Sequence, residues 1–213
     1  MTLPTRPRRR AMAAALAAAL AAATFTVAAP VVAQAAAPAK APISAQPQAQ
    51  RAELASLTWT LQKAPNPTPD QQDAYSRITS AMNAAVARYN NLSDLGKSIT
   101  VQYDPGVPTA DGNINGTIRF GNRAYMTERT ALHEIAHTIG VGTSGRWASL
   151  TSGGTWRGAE ATRLVRQYDG AAATLSAGGG HFWPYGLNYD NEFSQTAADR
   201  HVNIVAAMVR DGL

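Results

Sequence analysis

The chain has 213 residues, 45% of them apolar or aromatic and 15% charged, with no cysteine and a formal net charge of +5. Without cysteine there are no disulfides, so a packed core must hold the fold. The positive excess includes Arg6, Arg8, Arg9 and Arg10 at the extreme N-terminus. The remainder is close to neutral and has no Lys/Arg cluster, which argues against a nucleic-acid partner.

That basic head runs into "AMAAALAAALAAATFTVAAPVVAQA", an apolar run with small residues at Ala33 and Ala35. Residues 1–35 thus have the layout of a secretory signal peptide cleaved near Ala35. A membrane anchor is the competing reading, but the run is dominated by alanine, weakly hydrophobic and broken by Pro30. The arginines leave a twin-arginine route open beside the general one. The expectation is a secreted protein with no stable membrane anchor after cleavage. Residues 36–55, rich in Ala, Pro and Gln, read as a linker or short pro-segment. Residues 56–213 then form one domain, large enough to bury a core and expected to act as a monomer.

"SLTWTLQ" alternates Leu57, Trp59 and Leu61 with polar neighbours and predicts a strand. In "NPTPDQQ", Thr68 can cap a helix, Pro69 suits its first position and Gln71 completes a capping box. Ala74, Ile78, Ala81, Ala85 and Tyr89 continue at helical spacing to about residue 91. "SITVQYD" predicts a second strand, and a Gly/Asp/Asn/Pro-rich loop leads to "GTIRFGN", a third. A helix follows from near Thr127, with Leu132, Ile135, Ala136 and Ile139 as its buried stripe and Gly140 at its end. "GAEATRLVRQYDG" predicts another helix, with Leu164 and Val165 inward and Gly170 as its stop. "TAADRHVNIVAAMVRDG" predicts the last, with Thr196 and Asp199 as a capping pair over Ile204, Val205 and Met208. The whole is an α+β layout.

The Thr127 helix carries His133, Glu134 and His137 in HExxH order. Residues four apart lie on one face, so the two imidazoles can bind one Zn²⁺, and Glu134 beside them can exchange protons with an activated water. The bland alternative is a surface helix with two solvated histidines and a chance glutamate. A buried stripe in the correct frame favours the metal.

"HEIAHTIG" resembles the active-site helix of the zincin metallopeptidases, and the long helix and strands before it are similar to their upper subdomain. The resemblance implies a zincin-like fold: a small mixed sheet, a long N-terminal helix, the HExxH helix, and a C-terminal part mostly of helix and loop. In that family the last strand before the motif helix pairs with extended substrate at the cleft edge. This implies substrate binding along Thr117, Ile118, Arg119, Phe120 and Gly121.

A third ligand is needed. In the metzincin branch a His or Asp stands where this chain has Thr143, whose hydroxyl is a poor zinc ligand, and no Met-turn is identified. In the gluzincin branch a Glu on a later helix completes the site. Glu160 has roughly that spacing, but its position at a helix start is explained by the helix dipole. Glu192 is an alternative carboxylate. His181 opens "HFWPYGLNYDNEF" after three glycines, in a loop packed with aromatics. A lone histidine there would ordinarily satisfy a backbone carbonyl; a zinc pair short of one partner makes it the expected third ligand. "HFWPYGLNY" with HExxHxxG is also similar to secreted bacterial zincin-like proteins, some joined to ricin-type lectin or other carbohydrate-binding modules. That likeness covers most of residues 120–213, including a histidine in the last helix.

His201 on that helix is a candidate to support a ligand or donate to the transition state, or else a structural histidine. Tyr185 or Tyr189 could stabilise an oxyanion. The expectation is a secreted zinc metallopeptidase with Glu134 as general base, acting on protein or peptide, including glycoprotein or cell-wall-associated substrate. The alternative is a catalytically idle zincin-shaped module that binds glycan or cell-wall material through the aromatic loop.

Overall fold

The computed structural model describes residues 56–213; the expected leader and linker, residues 1–55, lie outside the described residues. Chain order is β1 (Leu57–Leu61), α1 (Pro69–Leu92), β2 (Lys97–Tyr103), β3 (Ala110–Gly112), β4 (Thr117–Phe120), α2 (Glu128–Ile139), α3 (Trp147–Leu150), α4 (Ala159–Asp169), β5 (Ser176–Gly178), β6 (His181–Trp183) and α5 (Gln195–Arg210). The described residues therefore hold five α-helices, a small mixed sheet and a two-stranded hairpin, β5–β6.

The capping box of α1 forms as its residues dictate. The Thr68 hydroxyl accepts from Gln71 N–H at 3.2 Å, and Gln71 Oε1 accepts from Thr68 N–H at 2.9 Å. The helix carries the chain back across the sheet, so β1 and β2 pair in parallel, in register from Leu57↔Lys97 to Leu61↔Val101. Its buried stripe, Ala74, Ile78, Ala81, Met82, Ala85 and Tyr89, packs on Ile99, Val101, Ile118 and Phe120 of the sheet, and Leu132, Ile135 and Ala136 of α2 join the same core. Each fully buried aliphatic side chain contributes about 1.5–3 kcal/mol of transfer free energy. The last helix brings Ile204, Val205 and Met208 into this core, as its pattern predicted.

Two boundaries differ from the sequence reading. The last helix is capped by Ser194, whose Oγ accepts from Ala197 N–H at 3.0 Å. The Thr196/Asp199 pair is not the cap; Asp199 instead joins Glu128 around Arg88, tying α1 to α2 and α5. The Gly/Asp/Asn-rich loop contains β3, only three residues long and therefore below the reach of an alternation argument.

That strand changes the sheet edge. The order is β1-β2-β4-β3, with β4 parallel to β2 and antiparallel to β3. Both edges of β4 are occupied, so Thr117, Ile118, Arg119, Phe120 and Gly121 cannot take a substrate strand. Ile118 and Phe120 are in the core, and Arg119 is held by Asp111 and Asp104. The edge strands are β1 and β3, and β3 is the one that lies against the motif helix. The Asp111↔Arg119 pairing, with the flanking bonds Gly121 N–H to Thr109 O and Asn113 N–H to Thr117 O, leaves the main-chain groups of Ala110 and Gly112 pointing away from β4.

Candidate metal centre

The motif helix α2 begins where the Thr127 hydroxyl accepts from Thr130 N–H at 3.3 Å, and it ends at Gly140, φ 133°. Its apolar stripe is turned into the core. This places His133 and His137 half-buried on the opposite face, one turn apart, with Glu134 at 6% exposure beside them. Thr143 lines the cleft, but its hydroxyl donates to the His137 carbonyl and closes the helix end.

Backbone carbonyls fix both rings. His133 Nδ1 lies 2.8 Å from Gly186 O, and His137 Nδ1 lies 2.7 Å from Val141 O. A carbonyl only accepts, so each Nδ1 carries the proton and each Nε2 presents a lone pair. Those two Nε2 atoms face each other at 3.1 Å. Two lone pairs at that distance repel unless a cation lies between them; two nitrogens at about 2.0–2.1 Å in tetrahedral array around zinc would be about 3.3 Å apart. Burial holds both imidazoles below their ordinary pKa, with repulsion from His137 adding to the fall at His133 and repulsion from His181 at His137, so they stand neutral, as ligands must.

His181 completes the group. Its ring centroid lies 5.2 Å from that of His133 and 5.3 Å from that of His137, and one ligand nitrogen from each of the three falls within 4.8 Å of the others. The β5–β6 hairpin delivers it. Gly179 and Gly180 both have positive φ, 56° and 84°, the pair of left-handed residues that a two-residue hairpin turn demands. Strand alternation then puts Phe182 into the core and His181 with Trp183 on the other face. The turn sits backbone to backbone on the loop after α2: a Cβ at Gly142 would lie 2.3 Å from Gly180 O. Three imidazoles so grouped fit a zinc ion with an open fourth position.

Glu134 makes no ion pair among the described residues. Burial pushes its carboxyl up to about 8, Asp111 adds to the rise, and Arg129 opposes it. Gly112 allows β3 to approach the motif helix, since a Cβ there would fall 2.4 Å from the Glu134 carbonyl oxygen. The resulting cleft of about 550 Å³ is walled by Thr109–Gly112 on one side, α2 from Arg129 to His137 on the other, and Gly180, His181 and Tyr189 at its mouth.

The other expected residues fall elsewhere. Glu192 is not a ligand: its Oε2 accepts from Asn188 N–H at 2.8 Å. Glu160 pairs with Arg163 at 3.1 Å in the first turn of α4. The Tyr185 phenol donates to Asp169 and stacks edge-on to Tyr168, away from the cleft. His201 is fully buried and cannot donate to a substrate. Tyr189, 63% exposed, does line the cleft. Of the aromatic loop, Phe182 is in the core, and Trp183 and Tyr185 are half-buried. Sequence reasoning missed β3, Tyr125, Arg129 and Gly142 as cleft residues; only the glycines 178–180, as a hairpin turn, offered a usable signal. It also saw no basic cluster, whereas Arg157, Arg163 and Arg166 line one groove along α4, bonded to Ser152 O, Glu160 and Ala173 O respectively.

Comparison of the chain with known protein families, curated proteins and solved structures finds no match. No helix among the described residues is long and apolar enough to cross a membrane.

Proposed function

We propose that the protein is a zincin-type, zinc-dependent peptidase, with His133, His137 and His181 as ligands and Glu134 as general base. The observation that carries this reading is the 3.1 Å approach of two Nε2 atoms whose Nδ1 protons are both committed to carbonyls. Bound there, zinc supplies a Lewis acid for the scissile carbonyl and lowers the pKa of water to about 7.

The chain's own groups account for the rest. Glu134 takes the proton of the attacking water and returns it to the leaving amine. Its protein surroundings favour the protonated acid, and a dication held by the three imidazoles would favour the carboxylate. An extended peptide pairs with the outward main-chain groups of Ala110 and Gly112 on β3, across the cleft from Glu134. Tyr189 lines the cleft, and its phenol is the group that would steady the oxyanion. The leader reading makes the protein secreted, acting as a single chain on protein or peptide substrate, including glycoprotein or cell-wall-associated material.

One observation favours a second reading. Trp183, 6.3 Å from the His181 ring, shares a groove of about 440 Å³ with Thr174, Ser176 and Glu192, an aromatic platform with polar neighbours suited to a sugar. An idle glycan-binding module would use that groove without hydrolysis. Glu134→Gln separates the two. The peptidase reading predicts retained zinc and hydrolysis of a broad peptide library reduced by at least about 100-fold. A wild-type protein that cleaves nothing in that library contradicts it.

A further inference from the structure

The loop after β6 holds its backbone in an unusual state. Tyr185 and Leu187 have φ of 66° and 57° without being glycine, and between them Gly186 admits no side chain, since a Cβ would lie 2.0 Å from Phe182 O. Residues in the left-handed region persist where their surroundings hold them. Here the holds are side chains on carbonyls. Arg129 Nη1 donates to Leu187 O at 2.9 Å, Asn188 Nδ2 donates to Phe182 O at 3.1 Å, and His201 Nδ1 lies 2.7 Å from Tyr185 O.

His201 faces a carbonyl on each side, Tyr185 O at 2.7 Å from Nδ1 and Leu132 O at 3.1 Å from Nε2. Burial keeps the ring neutral, so one nitrogen carries the proton; the shorter contact places it on Nδ1, and the Tyr89 hydroxyl, 3.2 Å from Nε2, is the donor on that side. Phe182 stacks on the ring, with centroids 5.8 Å apart and planes at 15°, and blocks its rotation. The carbonyl next after Tyr185 is Gly186 O, which receives the His133 Nδ1 proton at 2.8 Å. Two histidines therefore grip consecutive carbonyls of one left-handed turn, one from the core and one from the metal face.

We propose that His201 is a positioning residue for the metal centre: by holding Tyr185 O it aims Gly186 O at His133 Nδ1, and so fixes which nitrogen of His133 faces the metal. Groups that orient a metal-binding imidazole through its second nitrogen typically change metal affinity by about 10–100-fold when removed. The proposal rests on the reading of His133, His137 and His181 as a zinc site, and its test is built to fail separately from that reading.

His201→Asn keeps an N–H near the Nδ1 position, and His201→Gln places one near Nε2 instead. Zinc affinity, by chelator competition, is expected within about threefold of wild type for His201→Asn and at least about tenfold weaker for His201→Gln. In the metal-free proteins, imidazole ¹⁵N–¹H correlations should show His133 protonated at Nδ1 in wild type and His201→Asn, and a mixture of tautomers in His201→Gln. Wild-type affinity and tautomer in His201→Gln overturn the proposal, as does an equal loss in both variants, which would mark a packing role only. If the wild type binds no zinc, the zinc reading fails, and the metal-free tautomer still decides the role of His201.

Discussion

Gly142→Ala tests how the third ligand is delivered. Gly142 has φ of 70°, and an added Cβ would lie 2.3 Å from Gly180 O and 2.7 Å from Gly180 Cα. Both contacts are with backbone, so no side-chain rotation relieves them; the hairpin must retreat by about 1 Å to reach ordinary van der Waals separation. A left-handed alanine costs about 1–2 kcal/mol and the overlap about 1–3 kcal/mol more, giving an expected loss of roughly 2–5 kcal/mol. His181 follows Gly180 directly and moves with it. Metal–ligand distances tolerate only about 0.2 Å, so the displaced imidazole leaves coordination range and zinc affinity should fall at least about tenfold. Urea unfolding in chelator measures the first effect, and chelator competition measures the second. Gly145→Ala is the control, because nothing lies within 4 Å of its Cβ position; it should leave both unchanged. A folded Gly142→Ala protein with wild-type zinc affinity would refute the argument that this glycine contact seats His181.

Two further outcomes follow from the same geometry. Ala110→Pro removes an outward N–H from β3 while sparing the bonds to β4, so hydrolysis of extended peptides should fall about tenfold in kcat/KM with zinc retained; an unchanged rate would remove β3 as the substrate strand. Burial lowers the pKa of His201 to about 4 against 6.5 for the free side chain. The unfolded chain therefore binds the extra proton between those values, and metal-free stability falls as pH drops through that window, by up to about 3 kcal/mol at pH 4. His133 and His137 act in the same sense, so the quantity to measure is the difference in urea-unfolding profiles between wild type and His201→Asn. The variant should be flatter from pH 6.5 to 4, and identical profiles would contradict the assignment of His201 as a buried neutral ring.

The sequence was most informative where a short-range pattern and burial agree. The Thr68/Gln71 cap, the stripe of α1, and the frame that puts Leu132 and Ile135 inward and His133 and His137 outward are all local consequences of a 3.6-residue period. His181 was legible by elimination, and the glycines before it already encoded the hairpin that aims it. The substrate edge was not legible. β3 is three residues long and exists because Gly112 can lie against the Glu134 backbone, a contact between residues 22 positions apart in sequence. The fates of Glu192, Tyr185 and His201 were equally hidden, since each is decided by a partner (Asn188, Asp169, the Tyr185 carbonyl) that no periodicity places. Polar groups near a site in sequence are as often its struts as its reagents.

The most direct test of the central claim is X-ray absorption at the zinc edge of the zinc-loaded protein. The account predicts one zinc per chain with three imidazole nitrogens at about 2.0–2.1 Å, falling to two in His181→Ala. A wild-type spectrum with two imidazoles, or one that His181→Ala leaves unchanged, would contradict it.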